Sequence, residues 1–155
     1  MIKADVFVTN RNWKKYIKVP NLYINKKLKK IEKQVNIFKK NNLSFTILLS
    51  GDDEVKKLNR KFKKKNKTTD VLSFPSYEKK VLVKLLKKEK SKLYLGDIII
   101  NLNKVIKQIK DNNFVLNFDK IWIHGLVHLL GHRHKLNHDF LLMQRLEKKL
   151  IKSSK

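Results

Sequence analysis

Residues 124–134 read HGLVHLLGHRH, and only one backbone path lets these histidines act together. His124 and His128 stand four residues apart. On a helix that spacing rotates a side chain by only ~40° and lifts it ~6 Å, so both imidazoles share a face and can meet one ion. His134 would lie ~15 Å along the same helix and well round its cylinder, out of reach. The helix must therefore stop and the chain must fold back. Gly131, three residues after His128, supplies the stop, because glycine adopts the left-handed turn at a helix C-terminus without a Cβ penalty. All five histidines fall between positions 124 and 138, a concentration that random placement hardly produces. His124, His128 and His134 are read as the ligands of one metal ion, and His132 and His138 as bystanders or supporting groups.

The chain has no cysteine, which excludes disulfides and thiolate metal sites and leaves histidine and carboxylate as donors. Neutral imidazoles suit Zn2+, with nickel or copper as competitors in vitro. Three protein ligands without a thiolate leave a coordination position open, as in catalytic rather than structural zinc sites. The spacing H-x3-H-x2-G-x2-H is that of metzincin proteases. Their general base, however, is a Glu beside the first histidine, and here that place is Gly125. A peptidase would lack its proton acceptor. Glu147 and Asp139 are carboxylates that nothing in the sequence positions to replace it.

Outward from this stretch, Phe118, Ile121, Trp122 and Leu126 predict the helix that carries the histidines, and a last helix spans Phe140 to Leu150. Ile2 to Val8, Leu43 to Leu49, Asp70 to Phe74 and Tyr94 to Ile100 read as strands. Ile24, Leu28, Ile31, Val35 and Phe38 step by three and four, the mark of one amphipathic helix after Pro20. Asp52 and Asp53 open another, where acidic residues favour the macrodipole. Residues 76 to 93 are lysine-rich and ambiguous, although Val81, Leu82, Leu85 and Leu86 fit one helical stripe; Leu102, Val105, Ile106 and Ile109 give a further helix. The alternation predicts an α/β (α+β) fold: one small domain over residues 1–155, about four strands in a mixed sheet packed with helices, and the zinc site on the C-terminal helices.

The formal charge is +25, from 38 Lys and Arg against 13 Asp and Glu. Such an excess suits a polyanionic partner. Yet only Arg11, Arg60, Arg133 and Arg145 are arginines, and an AT-rich genome yields the same lysine-rich mixture, so charge alone is merely compatible with RNA or DNA. No apolar run has the length of a secretory signal or a membrane span; a soluble intracellular protein with no membrane partner is expected.

Three segments in order resemble the YbeY family. LNRKFKKKNKTTDVLSFP (58–75) is similar to its L-N-x-x-[YF]-R-x-x-x-x-x-T-[DN]-V-L-S-F-P, LGDIII (95–100) to its L-G-D-I, and HGLVHLLGHRH to its H-G-x-L-H-L-x-G-x-D-H. The resemblance implies a small α/β sandwich with a mostly parallel four-stranded sheet and metal ligands at His124, His128 and His134. It implies a cytoplasmic metal-dependent endoribonuclease that cleaves single-stranded RNA, acting in 16S rRNA 3′-end maturation and ribosome quality control with the small ribosomal subunit as partner. The family's arginine after the aromatic, implicated in activity, falls at Lys63, which keeps the charge but loses the bidentate fork. Its aspartate before the third histidine is replaced by Arg133. Lys63 is thereby the candidate catalytic residue, and Arg60, Lys64, Lys65, Lys67 and Arg133 are candidate RNA contacts. Asp97 is a candidate supporting carboxylate or a strand-end residue bonding backbone amides. Two other functions fit the same residues: a ribosome assembly factor whose zinc only staples the last helices, and a zinc hydrolase of peptides or small molecules.

Overall fold

The structure is a computed structural model that describes residues 1–109, 113–134 and 137–155. Four strands, β1 (Ile2–Val8), β2 (Asn42–Ser50), β3 (Val71–Pro75) and β4 (Lys92–Asn101), form one sheet in the order β1-β2-β4-β3. β1, β2 and β4 are parallel, and β3 closes the far edge antiparallel to β4. Around them lie α1 (Pro20–Gln34), α2 (Asn36–Lys40), α3 (Asp52–Lys63), α4 (Lys79–Lys87), α5 (Leu102–Lys107), α6 (Phe114–Leu129) and α7 (Asn137–Ser154). The fold class is the one expected, a mixed four-stranded sheet packed with helices. All four strands form where the sequence places them, within two residues at each end.

Two features differ from the sequence reading. A short 3-10 turn over Arg11–Lys15 buries Trp13, whose indole Nε1 donates to Ser50 O at 2.9 Å. The apolar stripe from Ile24 to Phe38 is not one helix. It breaks at Val35, which turns to extended backbone (φ −119°, ψ 105°) while its N–H still bonds Ile31 O. The apolar spacing runs through the break because Ile31, Val35 and Phe38 are all buried on either side of it.

The two faces of the sheet differ in cover. Phe45, Ile47 and Leu49 of β2 and Leu95, Ile98 and Ile100 of β4 point into the main core with α1 and α6. Among the described residues, the opposite face has only the small cluster of Val55, Leu72 and Ile99, with Leu48, Leu58 and Phe74 packed against it. α6 is buried around most of its circumference, as a central helix should be. It lies so close to β4 that a Cβ on Gly125 would come within 2.8 Å of the Ile98 side chain.

Gly96 sets which side chains of β4 face α6. Its φ is +129°, and a Cβ there would sit 2.1 Å from Phe74 O, so no other residue fits. The register moves from Ser44↔Tyr94 to Thr46↔Asp97, placing one extra residue in β4. Leu95 and Ile98 therefore both enter the core although they are three apart. Asp97 is turned to the opposite, exposed face, where it accepts a hydrogen bond from the Tyr94 hydroxyl at 2.5 Å. It neither supports the histidines nor bonds strand-end amides.

α6 is also tied to α1 through Asp119, only 4 % exposed. Its Oδ1 accepts from Tyr23 OH at 2.9 Å and Trp122 Nε1 at 3.0 Å, and its Oδ2 pairs with Lys27 Nζ at 2.6 Å. Burial, and then the adjacent Asp119 carboxylate, push the Tyr23 hydroxyl far above the usual range, so it remains a donor.

Candidate metal centre

The helix that presents His124 and His128 ends as the glycine predicts. Gly131 has φ +89°. Its N–H bonds His128 O at 2.9 Å, and His132 N–H bonds Val127 O at 3.3 Å, the paired closure of a Schellman turn. The turn returns the chain over α6 and lays the His134 ring 5.2 Å from that of His124 and 5.0 Å from that of His128, centroid to centroid. One nitrogen from each of His124, His128 and His134 lies within 4.8 Å of the others, so the three could hold one metal ion.

The hydrogen bonds around the rings fix what these nitrogens offer. His124 Nδ1 donates to Glu147 Oε1 at 2.5 Å, and His128 Nδ1 donates to His132 O at 2.8 Å. A carboxylate and a carbonyl only accept, so in each neutral ring the proton sits on Nδ1 and Nε2 is a bare lone pair. Those two Nε2 atoms face each other at 3.1 Å. Two lone pairs at that distance repel unless a proton or a metal cation lies between them, and a tetrahedral ion with bonds of about 2.0–2.1 Å holds its nitrogens only slightly further apart. Burial first, and then neighbouring His124, depress the His128 pKa to about 4, so the ring is in its neutral, ligating form at neutral pH.

Glu147 is the residue the sequence reading named without a place. α7 puts it between Met143 and Leu150, both buried on the same helix face. A carboxylate inside an apolar stripe was the available signal. It orients His124 and would strengthen it as a ligand. Replacing Glu147 with alanine is expected to weaken Zn2+ affinity about 10- to 100-fold, as read by competition against a chromophoric chelator. Unchanged affinity would remove Glu147 from the centre. Asp139 instead lies 4.0 Å from Lys79. His132 contributes its carbonyl to His128, while its own buried Nδ1 has no hydrogen-bond partner. His138 is exposed and stands outside the histidine cluster.

The three histidines lie in a cleft of about 640 Å³ with Lys63, Lys65, Lys67 and Arg133 in its walls. β3, which follows the lysines in sequence, shares the cleft with them: Val71, Leu72, Ser73 and Pro75 line it. Two buried asparagine side chains hold the loop between α3 and β3. Asn59 Nδ2 donates to Lys67 O at 2.8 Å, and Asn101 Nδ2 donates to Thr68 Oγ1 at 2.8 Å and Thr69 O at 3.1 Å. Arg60, on α3, and Lys64, its left-handed C-cap, are exposed and do not line the cleft. A larger depression of about 840 Å³ between β1 and α1 contains no histidine, and its Glu32 is engaged with Ile2 N and the N-terminal amine.

Gly125 answers the question of a general base. The position faces Ile98 across a gap too small for a Cβ, so a glutamate there would have to displace the sheet. The helix places no carboxylate where a peptidase of this spacing has one.

The sequence model of the family described as Endoribonuclease YbeY matches residues 7–155. The Endoribonuclease YbeY of Pelagibacter ubique (strain HTCC1062) is 42% identical over 155 residues, covering 98% of this chain and 95% of its own. That of Thermodesulfovibrio yellowstonii is 37% identical over 133 residues, covering 84% and 76%. The solution structure of TM1509 from Thermotoga maritima superposes with a TM-score of 0.61, covering 99% of this chain and 89% of that one. At 22% identity it speaks for the fold alone.

Proposed function

The chain belongs to the YbeY family of endoribonucleases, and from that premise we propose that it is a zinc-dependent, single-strand-specific endoribonuclease of the cytoplasm. Its substrate in this reading is 16S rRNA, cut during 3′-end maturation and ribosome quality control on the small ribosomal subunit. The observation that carries the reading is the convergence of three imidazoles inside a cleft walled by lysine and arginine. Among the described residues, no helix is long and apolar enough to cross a membrane.

His124, His128 and His134 would hold the ion, which when bound supplies Lewis acidity toward a phosphate oxygen. The protein's own groups do the rest. Lys63, Lys65, Lys67 and Arg133 neutralise the RNA backbone and fix the scissile phosphate over the histidines. Lys63 is the proposed catalytic cation. Its ammonium lies 5.2 Å from the Phe74 ring centroid, which limits its wandering in the absence of a second fork nitrogen. Arg60 and Lys64 would extend the basic surface along the flanking strand. Glu147 keeps the proton on His124 Nδ1, so that Nε2 stays directed at the reaction centre.

The zinc-loaded protein, offered single-stranded RNA, the same RNA as a duplex, and casein, is expected to cut only the single strand. Cleavage of casein without RNA cleavage would overturn the assignment. Changing Lys63 to alanine is expected to slow RNA cleavage and to reduce the slope of log affinity against log salt by about one. Arginine at 63 should restore both.

A further inference from the structure

The geometry points to a subsite for an unpaired nucleobase at Phe62, beside the cleft and separate from the groups that hold phosphate; the inference rests on the endoribonuclease reading. Phe62 is 57 % exposed at the end of α3, a helix otherwise rich in charge. It is held, not loose: its ring meets Phe74 edge to face at 5.5 Å between centroids, with an interplanar angle of 67°. One lysine stands over each ring of the pair. Lys61 Nζ lies 5.3 Å from the Phe62 centroid, and Lys63 Nζ lies 5.2 Å from the Phe74 centroid.

A fixed, exposed aromatic with mobile lysine ammonium groups beside it is the combination that binds single-stranded nucleic acid, the ring stacking a base once Lys61 swings from its face to a phosphate. Lys63 belongs both to this aromatic pair and to the cleft wall. A strand whose phosphate lies on Lys63 over the histidines therefore has its neighbouring base beside Phe62. A duplex hides its bases and gains nothing from such a platform. The single-strand preference of the centre follows from Phe62, since lysines alone do not distinguish the two forms.

Both native tryptophans, Trp13 and Trp122, are 0 % exposed, so a Phe62→Trp protein carries one solvent-facing indole. On adding a short oligoadenylate, read before cleavage accumulates, that fluorescence is expected to be quenched, while an abasic strand with the same number of phosphates leaves it unchanged. A Phe62→Leu protein, which keeps apolar packing on Phe74, is expected to bind oligoadenylate at least about five-fold more weakly and the abasic strand as before. Equal quenching by both strands, or full oligoadenylate affinity in the leucine protein, would overturn the subsite and leave the endoribonuclease reading standing. Failure of the parent protein to bind either strand would overturn both.

Discussion

A His128→Ala protein is expected to keep its fold, to lose its metal, and to cleave RNA more than about a thousand-fold more slowly. The fold survives because, when the His128 Nδ1 bond to His132 O is lost, two backbone bonds still close the turn that follows the helix: Gly131 N–H on His128 O and His132 N–H on Val127 O. Neither bond needs the imidazole. What disappears is one of the two Nε2 lone pairs that face each other at 3.1 Å. His124 and exposed His134 are then left as a two-nitrogen site, too few to retain Zn2+ against competing chelation. Elemental analysis should fall from one ion per chain to a trace, with the circular dichroism spectrum unchanged. Cleavage is the deciding measurement, because a contaminating nuclease would survive the substitution. If the variant still cuts RNA at the parental rate and its melting temperature drops sharply, the metal staples α6 to the returning chain and performs no chemistry.

Much of this centre was legible in eleven residues, and the reason is local. The face shared by His124 and His128 follows from helical geometry, and the return of His134 follows from a glycine at the one position where a left-handed turn is needed. The turn that returns His134 is closed by backbone bonds within residues 127–132. The strands were legible for a similar reason, as short apolar runs bounded by polar residues. Glu147 was not, because its bond to His124 depends on how α7 lies across α6, a tertiary relation between residues 23 apart. Its place between Met143 and Leu150 was a hint that required knowing which face of α7 is buried.

Asp97 failed in another way. Which face Asp97 takes depends on the parity of β4, and the extra residue at Gly96 reverses the parity of everything after it. The glycine was visible in LGDIII, but its φ of +129° and its contact with Phe74 O come from the pairing of β3 with β4. The break at Val35 was invisible because the residues on both sides bury the same face, so the helical stripe runs through an interruption that only the backbone records. The cleft is intermediate. Lys63, Lys65 and Lys67 reach it because β3 follows them at once, whereas Arg60 and Lys64, equally basic, point elsewhere on the same turn of chain.

Replacing Asp119 with alanine is expected to cost about 3–5 kcal/mol of folding stability, measured by urea unfolding, although the residue lies outside the cleft. Three donors converge on this carboxylate: Lys27 Nζ at 2.6 Å, Tyr23 OH at 2.9 Å and Trp122 Nε1 at 3.0 Å. The Trp122 side chain is fully buried, and the Lys27 side chain is only 19% exposed. Alanine thus strands an ammonium and two neutral donors with little water to receive them, and the penalty is mainly that of the orphaned groups rather than the worth of the pair. The argument distinguishes two further variants. Asparagine at 119 keeps an Oδ1 for Tyr23 and Trp122 and abandons only Lys27, so its loss should be smaller. Asparagine at 119 combined with methionine at 27 removes the stranded charge as well and should recover most of the stability. If the double variant is no more stable than the alanine protein, the carboxylate acts through packing and not through its charge. Because Asp119 precedes His124 by little more than one turn of α6, partial loss of this anchor is also expected to loosen the histidines, lowering Zn2+ affinity in the alanine protein before the fold as a whole gives way.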